Sequence, residues 1–214
     1  MTPAGLHLVT DERLPLDRLL VVVDAAARAG AAVVQVRAKG ATARAFTETT
    51  VAVAEVVARR AAVLVNDRVD VALAARHAGA RVDGVHLGQD DLDPRAARDL
   101  LGPDALIGWT AHRDAHRRAA EALPAGTVDY LGVGLVNPTT SKDDGPPVLG
   151  ADGFGAFALS TSLPCVAIGG VRVTDVPDLM AAGASGVAVV SAISGAPDPA
   201  AAATEFMTVI GAAR

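Results

Sequence analysis

A single cysteine, Cys165, stands among 214 residues, so an intramolecular disulfide and a multi-thiolate zinc site are both excluded. Its place in the apolar run Leu163 to Ile168 reads it as a small buried hydrophobe. Aromatic residues make up 3% of the chain and the formal net charge is −5, which argues against nucleic acid as the partner. A phosphorylated small molecule stays open, because screening acts over about 8 Å and a local cluster of cations outweighs distant acids. No apolar run reaches the roughly 18 residues of a membrane span, and Met1 to Gly5 lacks the basic and apolar regions of a secretory signal, so a cytoplasmic protein is expected. A dinucleotide fingerprint is also missing, since Gly132-Val133-Gly134 has no third glycine and comes late in the chain. No serine, cysteine or histidine sits in a nucleophile and base arrangement.

What the chain has is apolar material in alternating patterns. With 51% hydrophobic and 20% charged residues it can bury a large core, and nothing in it reads as a linker, so residues 1–214 are expected to form one domain. Short apolar runs recur at Leu6 to Thr10, Ala32 to Arg37, Ala61 to Asn66, in the first part of Val82 to Asp91, and at Ala105 to Trp109, Asp129 to Val133, Pro164 to Ile168 and Gly186 to Val190. Helical spacing follows each, over about 16–29, 42–60, 68–80, 94–101, 112–122, 152–159, from Thr174 as a cap to Ala182, and 199–212. Eight strands alternating with eight helices predict an α/β single-domain (β/α)8 TIM barrel with a parallel sheet inside and helices outside. An open doubly wound sheet usually has fewer strands and an early glycine fingerprint.

Two of these strands run into acid. Asp67 follows the third and Asp91 the fourth, and the helix between them makes the strands parallel, so both acids lie at one edge of the sheet. Neighbouring strands are roughly 4.8 Å apart, so the two carboxylates could share one hard cation such as Mg2+. Helix capping is the competing reading for Asp67, which directly precedes a helix. It fits Asp91 less well, because Asp93 followed by Pro94 is the better cap and first-turn pair.

In a barrel of this kind chemistry sits at the carboxyl ends of strands. After strand two, Gln35, Arg37 and Lys39 alternate on one face with Val33; the competing reading is two long basic chains reaching solvent. After strand six comes the longest irregular stretch, Asn137 to Gly150, with hydroxyls and an amine in Thr139-Thr140-Ser141-Lys142, which could equally be a hydrophilic turn. Strands seven and eight end in Gly169-Gly170 and Val190-Ser191, where free amides commonly hold a phosphate monoester. His112 and His116 lie among Arg113, Arg117 and Arg118 and read as a solvated basic face. His86 reads as a hydrogen-bonded residue of the barrel interior. The strand ends together are equipment for two phosphorylated molecules, and for departure of a diphosphate under electrostatic control, each cation being worth about 4 kcal/mol at 4 Å near a protein surface.

The motifs Leu8-Val9-Thr10-Asp11, Gln35-Val36-Arg37-Ala38-Lys39, Val65-Asn66-Asp67, His86-Leu87-Gly88-Gln89-Asp90-Asp91, Pro138-Thr139-Thr140-Ser141-Lys142, Ile168-Gly169-Gly170 and Val190-Ser191-Ala192-Ile193-Ser194 resemble, in order and spacing, those of the thiamine phosphate synthase family. The resemblance covers essentially the whole chain. It implies a transferase of thiamine biosynthesis that joins hydroxymethylpyrimidine diphosphate to hydroxyethylthiazole phosphate, with Mg2+ as cofactor and small-molecule substrates as partners. It implies Asp67 and Asp91 as metal ligands, and Arg37, Lys39, Thr110 and Lys142 as catalytic residues. Gln35, Val36, Ala38 and Asn66 would join them around the pyrimidine diphosphate. Thr139, Thr140, Ser141, Gly170, Val190 and Ser191 would lie around the thiazole phosphate. The implied chemistry is dissociative: diphosphate leaves, and the thiazole nitrogen captures a pyrimidine methyl cation.

Two positions depart from the family pattern. Gly134-Leu135 stands where Gly-Pro is common, and Trp109 precedes Thr110 where a smaller residue is common. The alternatives are a thiazole tautomerase-like paralogue, with a histidine in the strand-six region where this chain has Leu135, and a thiazole-phosphate-binding regulator without catalysis. A sugar-phosphate epimerase barrel would share the phosphate cradle but needs metal-binding histidines or an acid-base pair on several strands.

Overall fold

The computed structural model describes residues 4–139 and 147–213. Eight parallel strands close into a barrel in sequence order: β1 (Gly5–Val9), β2 (Val33–Val36), β3 (Ala62–Asn66), β4 (Gly84–Leu87), β5 (Leu106–Ala111), β6 (Tyr130–Val133), β7 (Cys165–Ile168) and β8 (Gly186–Val189). The closing pair β1 and β8 is parallel like the rest, with Leu6 opposite Val187. The expected α/β barrel is therefore the fold.

Most of these strands are only four or five residues long and their residues are almost all buried, because both faces are covered. One set of alternate residues, among them Val9, Val33, Leu64, Leu106, Tyr130 and Val166, fills the barrel interior. The opposite set, with Leu8, Val34, Val63, Val65 and Leu131, packs against the helices. A fully buried Leu64 contributes roughly 1.5–3 kcal/mol relative to an exposed one.

The helices are α1 (Leu16–Ala29), α2 (Ala43–Val57), α3 (Val69–His77), α4 (Pro94–Leu101), α5 (Asp114–Glu121), α6 (Gly150–Ala158), α7 (Val176–Ala181), α8 (Ser191–Ser194) and α9 (Pro199–Ala212). Three begin where side chains satisfy the first amides: Thr42 accepts from Ala45 at 3.3 Å, Asp93 from Arg95 at 2.8 Å, and Asp198 from Ala200 and Ala201 at 3.0 Å each. Among the described residues no helix is long and apolar enough to cross a membrane.

Three expectations need correction. The described residues hold nine α-helices rather than eight, since the chain turns through the short α8 directly after β8. Thr174 does not cap α7: it lies within a one-turn 3-10 helix, Val173–Asp175, whose first turn is closed by the Asp175 carboxylate accepting from the Arg172 amide at 2.8 Å. Strand β5 also runs two residues past Trp109, so Thr110 is part of the strand and α5 starts only at Asp114.

Candidate active site

A cavity of about 830 Å3 opens at the carboxyl ends of the strands. It is lined by Gln35, Arg37, Lys39, Asn66, Asp67, Asp91, Thr110, Thr139, Gly170, Val190 and Ser191, together with residues the motif reading did not single out. The strand-end residues singled out in the sequence thus converge on one space. Val36 and Ala38 do not: their side chains pack into the helix-facing layer, leaving only their backbone for a ligand. Thr140, Ser141 and Lys142 lie outside the described residues.

Asp67 does not cap α3. The cap position is Arg68, which makes no side-chain cap bond, and the Asp67 carboxylate instead lies 3.2 Å from the Lys39 ammonium. Asp67 has φ 64, in the left-handed region that few residues other than glycine adopt, although aspartate tolerates it better than most. Its amide is held by the His86 carbonyl at 2.8 Å, so the pairing of β3 with β4 continues into this bend and fixes its position.

Across the same gap, Asp91 accepts a hydrogen bond from the Gly88 amide at 2.6 Å. Burial pushes the Asp91 carboxyl above its usual range; the Gly88 amide opposes this, and the neighbouring Asp67 carboxylate adds to it. Asp93, as expected, is the cap of α4, and its pairing with Arg95 holds its carboxyl down at about 2.

Arg37 is held from β1. Thr10 Oγ1 accepts from the Arg37 amide at 2.9 Å, and Glu12, in the loop after β1, pairs with the Arg37 guanidinium at 2.7 Å. The other Glu12 oxygen accepts from the Gly40 amide at 3.1 Å, so one carboxylate braces both ends of the segment that carries Arg37 and Lys39. Glu12 escaped the sequence reading because no strand pattern places it; the loop brings it across only in three dimensions.

On β5, Thr110 Oγ1 lies 3.0 Å from His86 Nε2, and His86 Nδ1 lies 2.9 Å from the Tyr130 hydroxyl. His86 is thus the hydrogen-bonded interior residue expected. Gln89 donates to the Thr110 carbonyl at 2.5 Å and ties the β4 loop to this strand. His112 and His116 differ from the solvated basic face expected: both are half-buried, their rings meet edge to face at 4.5 Å, and His112 lines the cavity. The strand extension to Ala111 causes this, because it carries His112 inward before α5 begins.

The far side of the cavity is backbone-rich. Gly169 and Gly170 both have positive φ, 93 and 65, and a Cβ on Gly170 would lie 2.7 Å from the Pro138 carbonyl. Asn137 donates to the Gly170 carbonyl at 3.1 Å and to Asp175 at 2.7 Å, joining the loops after β6 and β7. Leu135 lines the cavity beside Gly169, where any side chain on that glycine would strike it. Trp109 faces the helices and donates to the Gly88 carbonyl at 3.1 Å, so this departure from the family pattern falls outside the cavity lining. Among the described residues no group of three or more His, Cys, Asp or Glu side chains is arranged to hold a metal ion.

Fold and cavity define a parallel (β/α)8 barrel whose cavity opens at the strand carboxyl ends. Residues 6–193 match the family model described as thiamine monophosphate synthase. The thiamine-phosphate synthase of Salinispora arenicola is 50% identical over 215 residues, covering 96% of each chain, and that of Azorhizobium caulinodans is 43% identical, covering 98% of this chain and 96% of its own. Among solved structures, thiamine phosphate pyrophosphorylase from Pyrococcus furiosus superposes with a TM-score of 0.84 at 31% identity, covering 99% of this chain and 98% of that one. A 3-hexulose-6-phosphate synthase, at 19% identity and TM-score 0.72, shares the fold. The chain belongs to the thiamine monophosphate synthase family.

Proposed function

We propose that this chain is a transferase of thiamine biosynthesis, joining hydroxymethylpyrimidine diphosphate to hydroxyethylthiazole phosphate with release of diphosphate. The observation that carries the reading is the meeting of Lys39 with Asp67, 3.2 Å apart beside Asp91, in a chain 50% identical to the thiamine-phosphate synthase of Salinispora arenicola. A carboxyl raised by burial and by a second acid beside it is one that a hard cation would relieve, and an all-oxygen pair suits Mg2+. Asp67 and Asp91 would hold that ion, which when bound supplies positive charge against the departing diphosphate.

The remaining work falls to the chain's own groups. Arg37 and Lys39, on the braced segment after β2, stabilise negative charge as the carbon–oxygen bond to diphosphate breaks, and Lys142 adds to them. Gln35 and Asn66, buried at the ends of β2 and β3, hold the pyrimidine portion by hydrogen bonds, with Thr110 beside it. The backbone at Val36 and Ala38 completes that side. Gly170 and the amides of Val190 and Ser191 bind the thiazole phosphate, helped by the hydroxyls of Thr139, Thr140 and Ser141. The thiazole nitrogen then captures the pyrimidine methyl cation, with apolar Leu135 and Ile168 on the cavity wall limiting water near it. Both ligands are small molecules, and the setting is the cytoplasm.

The test is to mix the purified protein with both substrates and Mg2+ and to read thiamine phosphate as thiochrome fluorescence. Product at a rate proportional to enzyme supports the reading. A folded protein that binds the thiazole phosphate yet makes no product would refute it in favour of a regulator.

A further inference from the structure

At the centre of the barrel, Tyr130, His86 and Thr110 form a line of hydrogen bonds that starts in the core and ends at the cavity. Tyr130 is 1% exposed, and among the described residues its hydroxyl has one hydrogen-bond partner, His86 Nδ1 at 2.9 Å. The space for this line is built in: a Cβ on Gly108 would lie 2.2 Å from Tyr130 Cζ, and one on Gly132 would lie 2.8 Å from His86 Cε1. Two glycines on adjacent strands are thus given over to seating two polar rings in an otherwise apolar interior.

We propose that Tyr130 is a positioning residue which, through His86, fixes the Thr110 hydroxyl as a hydrogen-bond donor to the bound pyrimidine diphosphate. A buried phenol O–H without an acceptor is costly, so Tyr130 donates and His86 Nδ1 accepts. In a neutral imidazole one nitrogen accepts and the other carries the proton, so Nε2–H points at Thr110 Oγ1, 3.0 Å away. The Thr110 oxygen is then an acceptor toward His86. Its own proton is left to turn into the cavity, since among the described residues His86 is its one hydrogen-bond partner. Burial also pushes the Tyr130 phenol far above its usual range, so its proton stays in place. The ligand assignment rests on the proposed function; the tautomer does not.

Nitrogen-15 NMR of histidine-labelled protein, with the His86 signals assigned by comparison with His86→Gln, reads the tautomer without any activity assay. The unsubstituted protein is expected to show His86 with the proton on Nε2, and Tyr130→Phe, which keeps the ring, to show a mixture. Kinetics then separate positioning from packing. Tyr130→Phe is expected to lower kcat about tenfold with KM changed less than about twofold, yet to add less than about twofold in a Thr110→Val background. A His86 ring protonated on Nδ1, or on both nitrogens, overturns the proposal, as does a Tyr130→Phe loss that multiplies in full with that of Thr110→Val. Failure of the functional reading is recognised separately, by absence of thiamine phosphate from the unsubstituted protein.

Discussion

Glu12 holds Arg37 by an ion pair of 2.7 Å and the Gly40 amide by a hydrogen bond of 3.1 Å, so a loop of β1 sets the posture of the basic segment after β2. The pair is half-exposed, so its contribution to stability is small, and its value lies in orientation. Glu12→Ala is expected to leave the melting temperature within about 2 °C. The same change is expected to raise KM for the pyrimidine diphosphate about three- to tenfold, a loss of roughly 1 kcal/mol of binding. Steady-state kinetics with each substrate varied in turn check this; an equal rise for the thiazole phosphate would contradict it.

Asp91 predicts a stability change opposite in sign to its effect on activity. Its folded-state value lies above the ordinary 3.8, so over that window the folded protein holds a proton the unfolded chain has lost. The stability tied to this carboxyl is therefore present at low pH and falls as pH rises through the window. Asp91→Asn keeps an oxygen for the Gly88 amide and removes the charge. Without divalent metal it is expected to melt about 1–3 °C above the parent at pH 7, and to lose that advantage near pH 4. Thermal denaturation at the two pH values decides it.

Gly170 combines φ 65 with no room for a side chain, its nearest neighbour being the Pro138 carbonyl. Gly170→Ala is expected to cost about 1–3 kcal/mol of stability. It is also expected to weaken thiazole phosphate more than pyrimidine diphosphate, because the strain falls on the loops after β6 and β7. Calorimetric titration with each substrate measures the asymmetry; equal weakening would place the phosphate elsewhere.

Cys165 is buried in β7, and burial pushes its thiol up to about 11. Iodoacetamide at pH 8 is therefore expected to label it only after denaturation, with activity retained in the native protein. Rapid native labelling, read by mass spectrometry, would contradict the burial.

Much of this was legible before any coordinates. The ends of α1, α4 and α9 fall at the residues expected, because Pro94 and Pro199 with their preceding aspartates, and Gly30 after Ala29, mark boundaries by local chemistry alone. The short α8 and the one-turn 3-10 helix before α7 were not legible, since single turns are held by surrounding contacts rather than by periodicity. At the site, Gln35, Arg37, Lys39, Asp67 and Asp91, singled out by the strand-end rule, and Asn66, implied by the family resemblance, all line one cavity. What the sequence hid was who holds them: Glu12 behind Arg37, Tyr130 behind His86, and the inward turn of His112. Such partners are set by which strands lie side by side in the barrel, β1 beside β2 and β5 between β4 and β6, and this has no signature in local spacing.

The central claim is that Asp67 and Asp91 hold the metal against which diphosphate leaves. Its most direct test is thiamine phosphate formation across a Mg2+ titration, with EDTA as the zero, for the parent and for Asp67→Asn and Asp91→Asn. Asparagine tolerates the left-handed backbone at position 67, so the substitution isolates charge. The account predicts saturable Mg2+ dependence in the parent, no product in EDTA, and at least about a hundredfold loss or a strongly right-shifted Mg2+ curve in each folded variant. Metal-independent product formation, or near-parental curves in both variants, would contradict it.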